Sequence, residues 1–562
     1  MAFFAVAATA APRSTPADFD KLVDRYFDEY FRYNPTQATS AGIHDRDHQL
    51  ESFSGASIAA EIQSLKRFLG EFEQFPAAGL NPETAADRDL IIGNIRSQLL
   101  ELETIRSWET NPDRYSSGIT NSAFVIMSRT FAPPAERLRT LIARERQMPK
   151  MLGEARANLK SPPRIFTLVA LEQLPGNIAF FKNDVPAAFT SVTDRKLLSD
   201  FQARNQAVIE ALAAYQKFLK DDVLPRSKGD FRIGVENYRK KLLYDEMVDT
   251  PLDKLLENGY QNLHRNQQAF RDTAAKLDAK RTPQQLLHDL ERDHPSPDRL
   301  LQSFRDVLGG LRDFVVSHKI VTIPPQIPPI VQETPPFARA LTFASMDTPG
   351  PYEKIAKEAF FNVTLPEVRW RREQVDEHMA SFNRGTIIST AIHEVYPGHY
   401  TQFLWVPRSP SKVRKLIGAG TNAEGWAHYT EQMMLDEGYG AGDLKLRLGQ
   451  LQDALLRNAR YIVGIQMHTG RMTYEQGIDF FMKEGYQTRA NAERETKRGT
   501  SDPTYLVYTL GKLEILKLRD DYRKLRGSKF TLLDFHDRFL AQGFPPIKIV
   551  RRTMLGNDTP VL

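Results

Sequence analysis

Residues 393–399 read His-Glu-Val-Tyr-Pro-Gly-His, two imidazoles and a carboxylate within one short segment. In zinc hydrolases of the HExxH type, two histidines one helical turn apart hold the metal from one face, and the glutamate after the first takes a proton from the attacking water. Here His399 follows His393 by six positions rather than four. At about 100° per residue, an unbroken helix would turn the two rings well apart. Pro397 and Gly398 supply a remedy, because proline removes a helical hydrogen bond and glycine accepts backbone angles that other residues resist. A break or bulge between Val395 and His399 is therefore expected, swinging His399 back to the side of His393. The plain alternative is a helix ending at Tyr396 with two unrelated histidines.

A two-histidine zinc site needs a third protein ligand and one open position. Residues 421–432, Thr-Asn-Ala-Glu-Gly-Trp-Ala-His-Tyr-Thr-Glu-Gln, offer Glu424 at the start of an amphipathic stretch. Gly425 and Ala427 are small enough to let this second helix approach the first closely. His428, one turn on, is the rival ligand. For His428 and Glu431 the ordinary reading is a polar, half-exposed helix face, and the functional one is a group that orients a metal ligand by hydrogen bonding.

The combination of His-Glu-x-x-Pro-Gly-His at 393–399, Glu-Gly-Trp-Ala-x-Tyr at 424–429, and Pro503, Tyr508 and Gly511 in PTYLVYTLGK resembles the bacterial domain-of-unknown-function 885 family. The likeness runs from PTQATSAGIHDRD at 35–47 through LPRSKGDFRIGVENYRKKL at 224–242 and VQETPPFARALTFASMDTPGPY at 331–352, almost to the C-terminus. That family is similar to helical zinc peptidases such as thimet oligopeptidase and the thermostable carboxypeptidases. The resemblance thus implies a metallopeptidase-like fold and a metal-dependent peptide or amide hydrolase. One departure stands out: where the resemblance calls for Asp-Thr-Gly-x-His, this chain has Gly464, Ile465, Gln466, Met467 and His468, keeping only the histidine.

Amide hydrolysis also needs a donor aimed at the oxygen where negative charge develops. Tyr508 is the first candidate and His468 the second, each with a structural alternative as a satisfied core residue. Arg460 and Arg519 could pair with a substrate carboxylate, although a helix salt bridge is the default for both. His44, Asp45, Asp47 and His48 read as a polar loop. The expected site is thus His393, His399 and Glu424 around Zn²⁺, with Glu394 as general base and then as proton shuttle to the leaving amine. Hydrolysis of a non-peptide amide or ester at the same metal competes with peptide cleavage. A non-catalytic helical protein with a structural metal is the other alternative, but such a site has no use for Glu394 beside its ligand.

The surrounding sequence must build the elements that hold these groups. Apolar residues recur at helical spacing in FDKLVDRYFDEYF, IAAEIQSLKRFLGEF, LLSDFQARNQAVIEALAAYQKFL and LLRNARYIVGIQM, with proline turns between helical runs and Pro134 placed to open a helix. The expected fold is mainly α: a large two-lobed body with residues 15–319 as a helical lobe and 320–562 as the metal-binding lobe packed against it. In IVTIPPQIPPIVQETPP at 320–336, β-branched residues and prolines replace the helical pattern. It reads either as extended strands beside the cleft, where an edge could hold a peptide by main-chain pairing, or as a connector.

The 562-residue chain has 75 basic and 70 acidic residues, and scattered positions for both, so it carries no concentrated nucleic-acid footprint. It has no cysteine, which excludes disulfides, thiolate zinc sites and cysteine nucleophiles. The apolar run from Phe3 to Ala11 ends in small residues like a signal-peptidase site but lacks a basic start, and residues 1–14 read as an atypical export signal or a disordered tail. A periplasmic or secreted location is favoured over a cytoplasmic one, and no integral membrane segment is expected.

Overall fold

A computed structural model describes residues 15–562, apart from 77–79, 336–337, 340–341 and 369. Residues 1–14, with their export reading, lie outside the described residues. The periodic segments fold as their spacing demands. FDKLVDRYFDEYF lies within the helix Pro16–Tyr33, where Phe19, Leu22, Val23, Tyr26, Phe27 and Phe31 form the buried face and Thr15 caps the first turn. Pro134 occupies the first turn of Pro134–Glu145, where its missing N–H costs nothing. The structure is 70% helical, and the described residues contain one three-stranded sheet, so the fold is mainly α. No helix among the described residues is long and apolar enough to cross a membrane.

The elements that matter for the site begin with α1 (Val235–Glu246), α2 (Leu252–Leu277) and α3 (Leu300–Ser317). The sheet follows as β1 (Ile330–Glu333), β2 (Ala344–Asp347) and β3 (Phe360–Val363). Then come α4 (Arg384–Glu394), α5 (His399–Trp405), α6 (Gly420–Asp436), α7 (Leu444–His468), α8 (Arg489–Ser501) and α9 (Val507–Arg526). Strand order is β1-β3-β2, with β1 parallel and β2 antiparallel to β3. Only four described residues of the extended segment form a strand, because Pro324, Pro325, Pro328 and Pro329 have no N–H for a ladder. The strand that reaches the cleft is β2, not β1: Thr342, Phe343 and Ala344 line it.

Apolar burial fixes the helices that carry the candidate site to the sheet and to one another. Phe361 and Val363 of β3, Ile388 and Ile392 of α4, Trp426 and Met433 of α6, and Ile515 of α9 share one buried cluster. Each such side chain contributes about 1.5–3 kcal/mol on burial. A second cluster joins Leu252, Leu255 and Leu263 of α2 to Leu455, Tyr461, Ile462 and Ile465 of α7. Two helix crossings place glycine against glycine. A Cβ on Gly425 of α6 would lie 2.6 Å from the backbone of Gly511 on α9, and one on Gly449 of α7 would lie 2.5 Å from Gly385 on α4. Gly425 therefore serves the contact of α6 with α9, not with the His393 helix as its spacing suggested.

Candidate metal centre

The chain between the two histidines is bent. Helix α4 ends at Glu394, and α5 starts afresh at His399. In the link, Gly398 N–H donates to the Ile392 carbonyl at 3.0 Å, and Trp426 Nε1 of α6 donates to the Pro397 carbonyl at 2.9 Å. A Cβ at Gly398 would fall 1.8 Å from the His393 carbonyl oxygen, so only glycine fits this closure. The result is that the two imidazoles meet edge to face, with ring centroids 4.8 Å apart and planes at 86°.

Glu424 of α6 completes the group. Its Oε2 lies 3.1 Å from His399 Nε2 and 3.4 Å from His393 Nε2. Tetrahedral zinc with ligands at about 2.0–2.1 Å puts ligand atoms about 3.4 Å apart. One nitrogen or oxygen from each of His393, His399 and Glu424 lies within 4.8 Å of the others, and this is the single such group among the described residues. The donor set therefore fits a zinc ion. His428 is not part of the group.

A buried carboxylate sets the orientation of the first ligand. Glu431 Oε1 accepts from His393 Nδ1 at 2.7 Å and from Arg457 Nη2 of α7 at 2.9 Å, while its Oε2 accepts from His428 Nδ1 at 3.0 Å. With Nδ1 committed, His393 turns Nε2 toward Glu424. His428 and Glu431 are both fully buried, which overturns their reading as a half-exposed helix face. Burial pushes His428 down to about 3, so it is a neutral donor to Glu431. Burial opposes the charge on Glu431, but Arg457 and His428 outweigh it and hold the carboxyl well below its usual range. Burial and Arg457 likewise oppose protonation of His393, yet Glu424 and Glu431 together lift it to about 9. Arg457 carried no signal in the sequence, since nothing links position 457 to 431 until α7 packs beside α6.

Helix α6 has no side-chain cap of its own, since Ala419 occupies that position. Glu246, the last residue of α1, supplies one from elsewhere: its carboxylate accepts from Gly420 N–H and Thr421 N–H at 2.9 Å each and from Thr421 Oγ1 at 2.7 Å. This anchors the end of α6 one turn before Glu424.

His393 and Glu394 open onto a pocket of about 120 Å³ that is also lined by Phe343, Arg457, Arg460, Arg498 and Tyr508. The Tyr508 ring lies nearly parallel to that of His393, with centroids 6.2 Å apart. Its hydroxyl accepts from Arg498 Nη2 at 2.9 Å. Burial pushes the Tyr508 phenol up to about 12 against the pull of Arg498, so it keeps its proton at neutral pH. The structure does not bring His468 into this group. Its Nε2 bonds the Gly499 carbonyl at 2.7 Å, and its ring packs against Phe231 and Tyr238. Arg460 is held by both carboxylate oxygens of Glu495 at 2.6 and 2.8 Å, and Arg519 lies over Tyr429, so each is engaged within the protein.

This architecture recurs in solved structures. One, titled "a putative lipoprotein of unknown function from Shewanella oneidensis", is 29% identical, with a TM-score of 0.77 over 96% of this chain and 99% of that one. A second, "the putative lipoprotein from Colwellia psychrerythraea", is 17% identical and shares the fold with a TM-score of 0.82, over 96% and 99% of the two chains. No curated protein matches the chain. The family described as "Bacterial protein of unknown function (DUF885)" matches residues 35–554, and the chain belongs to it.

Proposed function

We propose that this protein is a zinc-dependent hydrolase that cleaves peptide bonds. The observation that carries the reading is the convergence of His393, His399 and Glu424, with His393 and its neighbour Glu394 lining one pocket. A zinc ion held by those three residues would supply Lewis acidity, lowering the pKa of water and polarising a carbonyl. Glu394 takes the proton from the attacking water and returns it to the leaving amine. Tyr508, protonated and polarised by Arg498, donates to the oxygen on which charge develops. Glu431 and Arg457 hold His393 in place throughout.

The cleft also suits an extended substrate. Among the described residues β2 pairs with β3 alone, and its start lines the pocket, so its other edge can add a peptide strand. The pocket itself is below the ~300 Å³ at which drug-sized ligand sites begin. Its size favours a single residue of a peptide, or a compact non-peptide amide or ester as a second reading of the same centre. The likeness to a lipoprotein at 29% identity adds weight to a location outside the cytoplasm.

The test is Glu394→Gln, which keeps the shape of the side chain and removes the base. Cleavage of a peptide mixture should fall by about 10²- to 10⁴-fold, with zinc content and thermal stability unchanged. Full activity in this variant would exclude Glu394 as the base, and a wild-type protein that cleaves no peptide, amide or ester would exclude the hydrolase.

A further inference from the structure

Two buried acceptors in the cleft lack a donor. Asn491 of α8 is only 6% exposed; its Nδ2 donates to Gln487 Oε1 at 2.6 Å, which fixes the amide and leaves Oδ1 without a partner. Asp453 of α7 has a buried Oδ2 that is also unpartnered. Its other oxygen lies 3.9 Å from Arg457 Nη1. Ser389 of α4 comes near enough to favour the ionised carboxyl, yet Ser389 Oγ and Asp453 Oδ2 make no hydrogen bond of normal geometry. Both Asp453 and Asn491 line the pocket that holds His393 and Glu394.

The cations of the same wall do not fill this need. Arg457 donates through Nη2 to Glu431 at 2.9 Å and leaves its buried Nε unpartnered rather than bonded to either acceptor, Arg460 donates to Glu495 at 2.6 and 2.8 Å, and Arg498 to Asp502 at 3.2 Å and to Tyr508 at 2.9 Å. The Arg460–Glu495 pair also fixes how α7 and α8 lie against each other, so the positions of Asp453 and Asn491 are set by the packing. Buried acceptors in a native protein are nearly always satisfied. Two orphaned acceptors lining one small pocket call for a compact ligand rich in N–H donors, and a primary ammonium brings three.

We propose that Asp453 and Asn491 form a subsite for a primary ammonium group of the substrate. The carboxylate supplies the charge and the amide oxygen a second, oriented acceptor. Burial pushes the Asp453 carboxyl up to about 6, in keeping with a charge that Arg457 only partly compensates. On the hydrolase reading, on which this substrate class rests, the protein prefers peptides with a free amine close to the bond that is cut. That amine is either the N-terminal α-amine or the side chain of lysine.

Calorimetric titration of the full chain carrying Glu394→Gln tests this without turnover. n-Butylamine should bind, and Asp453→Asn and Asn491→Ala should each weaken it by about tenfold or more, as expected for loss of a charge-assisted hydrogen bond. Melting temperature controls for folding, and either variant suffices if the other is unfolded. Alanyl-alanine amide against its N-acetyl form, and N-acetyl-lysine amide against N-acetyl-norleucine amide, separate the two sources of the amine. Preference for the free amine in either pair supports the subsite. Butylamine binding that is absent, or that survives undiminished in both variants as direct metal ligation would, overturns it. Loss of amine binding in the variants of a protein that cleaves nothing would sink the hydrolase and keep the subsite; cleavage indifferent to amines would do the reverse.

Discussion

Two clusters in this molecule use the same residue types to opposite ends. His44 sits between two carboxylates, with Nδ1 2.8 Å from Asp47 and Nε2 2.9 Å from Glu353, and its ring stacks on Phe131 at 4.1 Å. Both nitrogens are spent, in opposite directions, and the cluster fastens an N-terminal loop to residue 353 of the distant chain. At the candidate metal centre His393 spends one nitrogen on Glu431 and turns the other toward a point shared with His399 and Glu424. Histidine and carboxylate make a ligand set only where uncommitted lone pairs converge; where each is matched to its own partner, they make a clasp.

Ligand removal should break the comparison most visibly. His393→Ala or Glu424→Ala should lower zinc from about one per chain to none by elemental analysis, whereas His44→Ala should retain it. Metal lost from His44→Ala and kept in the other two would exchange the roles assigned to the clusters. The next effect is smaller. Glu431→Gln should weaken zinc by about 10- to 100-fold in competition with a chelator, as expected for a partner that orients a ligand. Glu353→Gln, its counterpart in the clasp, should leave zinc affinity unchanged.

The smallest effect belongs to the clasp itself. Burial opposes the charge on His44, but Asp47 and Glu353 more than offset it and raise its pKa above the ordinary 6.5. A folded-state pKa above the unfolded one means stabilisation that is full below about 6.5 and is lost as pH rises through the folded value. His44→Ala should therefore cost about 1 kcal/mol at pH 5 in urea denaturation, given its partial exposure, and less at pH 9. A cost that grows with pH would show that neutral His44 makes the clasp.

The broken helix was legible in the sequence because its cause is local: Pro397 and Gly398 stand between the two histidines they rearrange. Glu424 was legible for a similar reason, lying at the head of an amphipathic run. Glu431 was half legible: the sequence offered it either as surface or as a group that orients a ligand, and the choice between the two needed Arg457, from another helix, placed against it. The sheet was half legible. The β-branched residues before 336 marked β1, but the prolines shortened it, and nothing local announced that the cleft edge would be Ala344–Asp347. His468, a sequence candidate for the oxygen-stabilising donor, turns its nitrogen to the Gly499 carbonyl instead, a pairing that needed α8 in place.

Glu246 gives this centre a timetable. The residue that caps α6 precedes Gly420 by 174 positions, so during synthesis it must wait for most of the later chain before it finds its partners. Closing a loop of that length costs about 4–5 kcal/mol of chain entropy. That cost is met only when the apolar faces on both sides dock together. The carboxylate helix is therefore finished late, by a contact between distant parts of the chain, and acquisition of metal would report that this docking has occurred. A fragment beginning after residue 246 would carry every residue of the His393–His399–Glu424 group and still present Glu424 on a helix with an open end.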